Sequence, residues 1–129
     1  MIEESRFLRG DVWYYEPSIK TETEGIINGN RPVVIISNNK FNKYSPVVNI
    51  LPITSQSKSS PVHIDVTIKH KSQIQCEQIC TVNKCDLKEF VTTINNRKLQ
   101  EVDRKLLYQL SLVSISKNKN ISEIVEVEL

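Results

Sequence analysis

A chain of 129 residues with 39% hydrophobic and 25% charged side chains suits one compact domain with its own core better than two. Its formal charge of only +2 provides no polycationic surface, so any site for an anion must be local. The longest uncharged apolar run, Pro32 to Ile36, is far short of the roughly 20 residues a membrane helix needs, and the chain opens with Glu3, Glu4 and Arg6 where a signal peptide would carry an apolar stretch; the expectation is a cytoplasmic protein without a membrane partner.

Alanine is absent while Ile, Val and Thr abound, which removes the best helix former and supplies residues that suit pleated strands. The first predicted strand is Asp11 to Tyr15, followed by a long polar loop from Glu16 to Asn30 that carries Pro17, Gly25 and Gly29. Pro32 to Ile36 reads as a strand buried on both faces, and Ser37-Asn38-Asn39-Lys40 as a turn. A third strand, Val47 to Thr54, contains Pro52, which predicts a bulge or an edge position near its end; Ser55 to Ser60 makes another loop.

Val62, Ile64, Val66 and Ile68 alternate with His63, Asp65, Thr67 and Lys69, a period of two with one apolar and one solvated face. Ile74 to Val82 and Phe90 to Ile94 give two more strands. Asn95 or Asn96 then caps a helix from about Arg97 to Val113, on which Leu99, Val102, Leu106, Leu110 and Val113 form one stripe. Five or six short strands and one packed helix predict a small β-barrel. No repeat or linker divides residues 1–129, so they read as one domain with a core of about 9–115; residues 116–129 are compatible with an edge strand, a short helix or a tail.

Cys76, Cys80 and Cys85 form no CxxC pair, and their odd number cannot pair internally; they read as reduced, buried or half-buried packing thiols instead of metal ligands. The chain shows no Walker glycines, no HExxH and no GxSxG. It has two histidines, His63 and His70, so a histidine-pair ribonuclease chemistry would require both to converge.

Six blocks occur together: Arg9-Gly10-Asp11-Val12-Trp13-Tyr14, Arg31-Pro32-Val33-Val34-Ile35-Ile36-Ser37-Asn38, Asn42-Lys43-Tyr44-Ser45-Pro46, Pro52-Ile53-Thr54-Ser55, Pro61-Val62-His63-Ile64 and Glu77-Gln78-Ile79. In this order they resemble the MazF/PemK-type toxins of bacterial toxin–antitoxin systems. The resemblance implies a mainly β fold with α, a small SH3-like barrel with a C-terminal helix. It also implies a homodimer, metal-independent and cofactor-free cleavage of single-stranded RNA, and a cognate MazE-like antitoxin, with operator DNA bound only through the antitoxin complex.

The same resemblance makes Arg31 and Thr54 the catalytic pair. Arg31 sits where the long polar loop enters an apolar strand, and its planar fork suits phosphate; Thr54 closes the third strand with a hydroxyl for the transition state. Ser55, Gln56, Gln78 and Lys43 are RNA-binding candidates. Trp13 and Tyr14 join them as aromatic surfaces on which bases stack, although alternation turns at least one of Trp13, Tyr14 and Tyr15 inward. The segment Thr21 to Asn30 differs from the family's usual loop, and Cys80 stands where an arginine is common. Alternatives on the same fold are a gyrase-directed toxin of the CcdB type, a catalytically lapsed relative, and an adaptor for proline-rich peptides.

Overall fold

The computed structural model describes residues 7–18, 29–55 and 60–112. Among these residues seven strands and two α-helices follow in order: β1 (Asp11–Tyr15), β2 (Arg31–Ile35), α1 (Asn39–Tyr44), β3 (Val47–Thr54), β4 (His63–Thr67), β5 (Lys71–Gln75), β6 (Cys80–Asn83), β7 (Leu87–Thr93) and α2 (Asn96–Gln109). The sheet runs β4-β5-β3-β2-β1-β7, and β6 pairs with β3 outside that path. The expected class, β with α and a C-terminal helix, is what folds. Among the described residues no pairing joins β4 to β7, so the sheet does not close into a full barrel.

The two faces of this sheet build two cores. Val12, Val34, Leu51, Ile53, Ile64, Ile74, Cys76 and Ile94 point to one side and receive Val102 of α2, with Leu99 and Leu106 packed alongside. Trp13, Tyr15, Val33, Ile35, Val48, Ile50, Val82 and Leu87 point to the other. Alternation along each strand produces this split, and each aliphatic side chain taken fully out of water contributes about 1.5–3 kcal/mol. β2 is therefore apolar on both faces because both faces are covered.

Gly10 locks the two halves at one corner. Its N–H donates to Ile35 O at 2.8 Å and its carbonyl accepts from Ile94 N–H at 3.0 Å. Its φ of +94° is one that side chains rarely adopt, and a Cβ there would meet Leu99 Cδ2 at 3.4 Å. Beside it Arg9 donates to Ile36 O at 2.8 Å and pairs with Asp103 of α2.

Several sequence expectations need correction. Asn38 does not open a turn: its side chain accepts from Phe41 N–H at 2.8 Å and caps α1. Of the two readings of Pro52, the bulge does not occur, since β3 runs unbroken from Val47 to Thr54, while the edge position holds locally. Ile36 N–H bonds Asn49 O, a phase that turns residue 52 away from β2. On its other edge β6 pairs with residues 47–50 and β5 with 53–54, so the ladder asks for no donor at Pro52.

The single strand expected over Ile74 to Val82 is two, β5 and β6, separated by a turn at Cys76 and Glu77. Polar Lys71, Ser72 and Gln73 belong to β5 because each pairs with β4, and Gln73 with β3 as well. Helix α2 ends at Gln109, and Leu110 is half exposed; Val113 and residues 116–129 lie outside the described residues. Cys76 is buried and Cys80 partly buried, but Cys85 is exposed and is no packing thiol.

Candidate active site

Cross-strand register assembles a row of polar side chains at one end of the second face. Tyr15 pairs with Arg31. Val33 pairs with Pro52 and Ile35 with Ile50, so continuing that register by two residues sets Arg31 across from Thr54. Thr54 pairs in turn with Gln73, and Gln73 with Asp65. Side chains directly opposite across antiparallel strands have Cβ atoms about 4.5–5.5 Å apart. Arg31 and Thr54, far apart in sequence, thus share one face at one end of the β2–β3 ladder.

Arg31 is half-buried at the first position of β2. Its Nε is buried and has no hydrogen-bond acceptor among the described residues, a donor that a phosphate or carboxylate oxygen would satisfy. A Cβ at Gly29 would stand 3.2 Å from Arg31 Nη2, so the glycine leaves the guanidinium its place. Tyr15, opposite, is buried; burial first, then the Asp86 carboxylate and Cys80, pushes its phenol up from the usual tyrosine value.

On the far side of Thr54 four side chains form a hydrogen-bonded chain. Gln73 Nε2 donates to Asp65 Oδ1 at 3.0 Å, Gln73 Oε1 lies 3.1 Å from His63 Nδ1, and His63 Nε2 lies 3.1 Å from Glu77 Oε2. The His63 side chain is only 8% exposed. The alternation in β4 already assigns His63 and Asp65 to one face. Gln73, Glu77 and the chain itself go unread in the sequence because they depend on β5 being a strand.

The other candidates scatter. Ser55 is exposed and, with Asp65, Lys71, Gln73, Thr92 and Lys98, lines a cleft of about 750 Å³ that includes neither Arg31 nor Thr54. Gln78 is not a strand residue: it lies in the connection between β5 and β6, with its N–H bonded to Gln75 O at 3.1 Å. Trp13 is 4% exposed and packs on Phe7, ring centroids 4.6 Å apart, and edge-on to Phe90. It is core, and no base can stack on it.

Tyr14 is exposed but points to the opposite face from Tyr15. Lys43 is exposed in α1, beyond the far end of β2 from Arg31 and over the Tyr44 ring, so a single chain does not bring it to the row. Gln56 lies outside the described residues. No group of three or more His, Cys, Asp or Glu side chains suited to a metal occurs among the described residues.

Residues 8–110 match the family model of PemK-like, MazF-like toxins of type II toxin–antitoxin systems. The chain is 37% identical over 119 residues to Endoribonuclease MazF of Staphylococcus saprophyticus, spanning 86% of this chain and 97% of that protein. Among solved structures it resembles a mycobacterial endoribonuclease in complex with its cognate antitoxin, with a TM-score of 0.70, 19% identity and coverage of 84% and 98%. It also resembles MazF from Deinococcus radiodurans, with a TM-score of 0.70, 17% identity and coverage of 81% and 96%.

Proposed function

Because the chain belongs to the PemK-like, MazF-like toxins of type II toxin–antitoxin systems, we propose that it is an endoribonuclease that cuts single-stranded RNA at the Arg31–Thr54 row. The reaction uses the RNA's own nucleophile. The 2′-hydroxyl loses its proton and attacks the adjacent phosphorus, the bond to the 5′-oxygen breaks, and that oxygen takes up a proton, leaving a 2′,3′-cyclic phosphate and a 5′-hydroxyl. Arg31 holds the non-bridging oxygens with its fork and so assists the proton transfers, in which the 2′-hydroxyl proton passes to a phosphate oxygen and a proton from that phosphate reaches the departing 5′-oxygen, while the Thr54 hydroxyl stabilises the phosphorane. This chemistry asks for no metal.

The observation that supports this reading is that Arg31, with its buried unsatisfied Nε, and Thr54 lie on the same face, each two residues beyond the last β2–β3 pair, Val33–Pro52. Ser55, next to Thr54 in sequence, then serves the flanking RNA; Gln78, Tyr14 and Lys43 serve only where a second subunit adds its surface. A homodimer fits the apolar side chains left exposed at the end of α2, Tyr108, Leu110 and Leu112; sedimentation as a monomer at micromolar concentration would count against it.

The toxin acts in the cytoplasm, and no helix among the described residues is long and apolar enough to cross a membrane. A small MazE-like antitoxin with an acidic segment that orders on binding competes with RNA for the Arg31 fork, a reading supported by the mycobacterial relative solved with its antitoxin. Operator DNA is contacted only through that complex. The test is to incubate the purified chain with a long unstructured RNA in EDTA and map fragment ends. Discrete 5′-hydroxyl ends at a recurring short sequence are expected, and intact RNA would reject the proposal in favour of a binding toxin.

A further inference from the structure

We propose that His63 is a positioning residue for this same site, held as a doubly protonated imidazolium between Glu77 and Gln73 so that the Gln73 amide is fixed beside Thr54. The inference rests on the reading of the Arg31–Thr54 row as the cleavage site, but its argument is one of donors and acceptors. The chain of contacts is anchored by a carboxylate at each end. Asp65 Oδ1 can only accept when ionised, so the Gln73 group that faces it at 3.0 Å must be the NH₂, and the amide oxygen is thereby aimed at His63 Nδ1, 3.1 Å away. At the other end Glu77 Oε2 also accepts, 3.1 Å from His63 Nε2. Both ring nitrogens face acceptors, and only the imidazolium donates from both.

Neutral forms of the ring fail at one contact or the other. With its one proton on Nε2, the ring keeps Glu77 and turns a lone pair on Nδ1 toward the Gln73 oxygen. Flipping the amide repairs that contact and sets the oxygen against the Asp65 carboxylate. With the proton on Nδ1 the lone pair faces Glu77 instead. In a ring only 8% exposed water cannot fully offset such a mismatch. The two carboxylates in the chain favour the charged ring: Glu77 reaches it from the turn after β5, and Asp65 acts from its own strand through Gln73, while the cations nearby oppose it. Lys71 lies on the same face of β5 two residues from Gln73. From α2, Lys98 and Lys105 place their Nζ donors on the backbone carbonyls of Asp65 and Pro61, at 2.7 and 2.5 Å, and Lys98 also pairs with Glu101 at 3.3 Å.

The consequence reaches the site because Gln73 is the cross-strand partner of Thr54. While His63 carries its second proton the amide has one orientation. Loss of that proton frees the amide to turn beside the threonine hydroxyl, which lowers turnover while leaving RNA affinity nearly unchanged.

The chain has two histidines, so ¹⁵N-labelled protein carrying His70→Gln has a single ring to observe. At neutral pH both ring nitrogens of His63 are expected to be protonated, and on raising the pH the Gln73 side-chain amide resonance shifts in the same titration as Nδ1. A ring that is neutral at neutral pH, or a Gln73 amide that does not follow it, overturns the proposal without reference to RNA. In cleavage assays of the wild-type chain, kcat is expected to fall roughly 10- to 100-fold across that same titration with KM nearly constant. The His63→Gln variant is expected to start from the lowered kcat and lack the step; a His63→Gln profile that keeps the wild-type step overturns the proposal. A chain that cuts no RNA at any pH overturns the reading of the site and leaves the ring spectrum to decide the state of His63.

Discussion

The second face of the sheet has two ends that differ in kind. Toward α1 and β6, Ile35, Val48 and Ile50 are fully buried and pack on Val82; a few residues along the same two strands that face carries Arg31 and Thr54, and Gln73 and Asp65 continue it across β5 and β4. The strands do not change, only what covers them. The apolar end fixes register, because a slip of one residue would turn Ile50 and Val48 to the opposite side. The polar end uses that register to oppose side chains that are distant in sequence. A site of this kind needs no rigid loop, since the core beside it already sets the distances.

Changes at the apolar end should therefore cost stability, and changes at the polar end should cost activity. Ile50→Ala, which empties a fully buried position, is expected to lower unfolding free energy by about 2–5 kcal/mol in urea titrations. Arg31→Ala is expected to reduce cleavage by roughly 10²–10³-fold, the scale of losing one group that stabilises a developing anion. Its unfolding midpoint should stay close to that of the wild type, since a half-buried side chain whose Nε lacks an acceptor holds little of the fold together. Were Arg31→Ala to unfold the chain and Ile50→Ala to leave it stable, the contrast between the two ends would be wrong.

A smaller effect tests the first face. Burial, and after it the Glu77 carboxylate, pushes the Cys76 thiol up from 9.0 to about 12, with Lys105 opposing. Between those values the unfolded chain releases a proton that the folded chain keeps, so stability is lost as pH rises from 9 toward 12, by up to about 1.4 kcal/mol per pH unit. Unfolding midpoints above pH 9 should fall in the wild type and flatten in Cys76→Ala. Exposed Cys85 should be alkylated under conditions that leave Cys76 untouched. Asn95→Ala, which removes the acceptor of Lys98 N–H at the start of α2, should cost about 1 kcal/mol, smaller than the core change and without effect on cleavage.

What could be read in advance follows the same division. Strands β1, β2, β3 and β4 and the cap of α2 carry local signals: apolar runs, strict alternation, and an asparagine ahead of an apolar stripe. β5 carries almost none, since Lys71, Ser72, Gln73 and Gln75 are polar and become strand only by pairing with β4, with β3 joining at Gln73 and Ile74. Gln78 was misplaced with it, and the Asp65–Gln73–His63–Glu77 chain could not be seen. Pro52 signals a bulge or an edge, and the edge is what forms, because its place falls where one neighbouring strand stops and the other starts. Arg31 and Thr54 stood out through the family resemblance; their adjacency required the β2–β3 register. Trp13 fell to the core because the face on which it lies is covered at that end.

The central claim is that Arg31 and Thr54 act as one unit at the polar end of this face. Single-turnover cleavage of one RNA by the wild-type chain, Arg31→Ala, Thr54→Val and the double variant, each checked for an unchanged unfolding midpoint, tests it directly. The account predicts a large loss in each single variant and a double variant hardly slower than the worse single, as for residues that serve the same transition state. Losses that simply multiply, or a single variant that cuts at the wild-type rate, would contradict it.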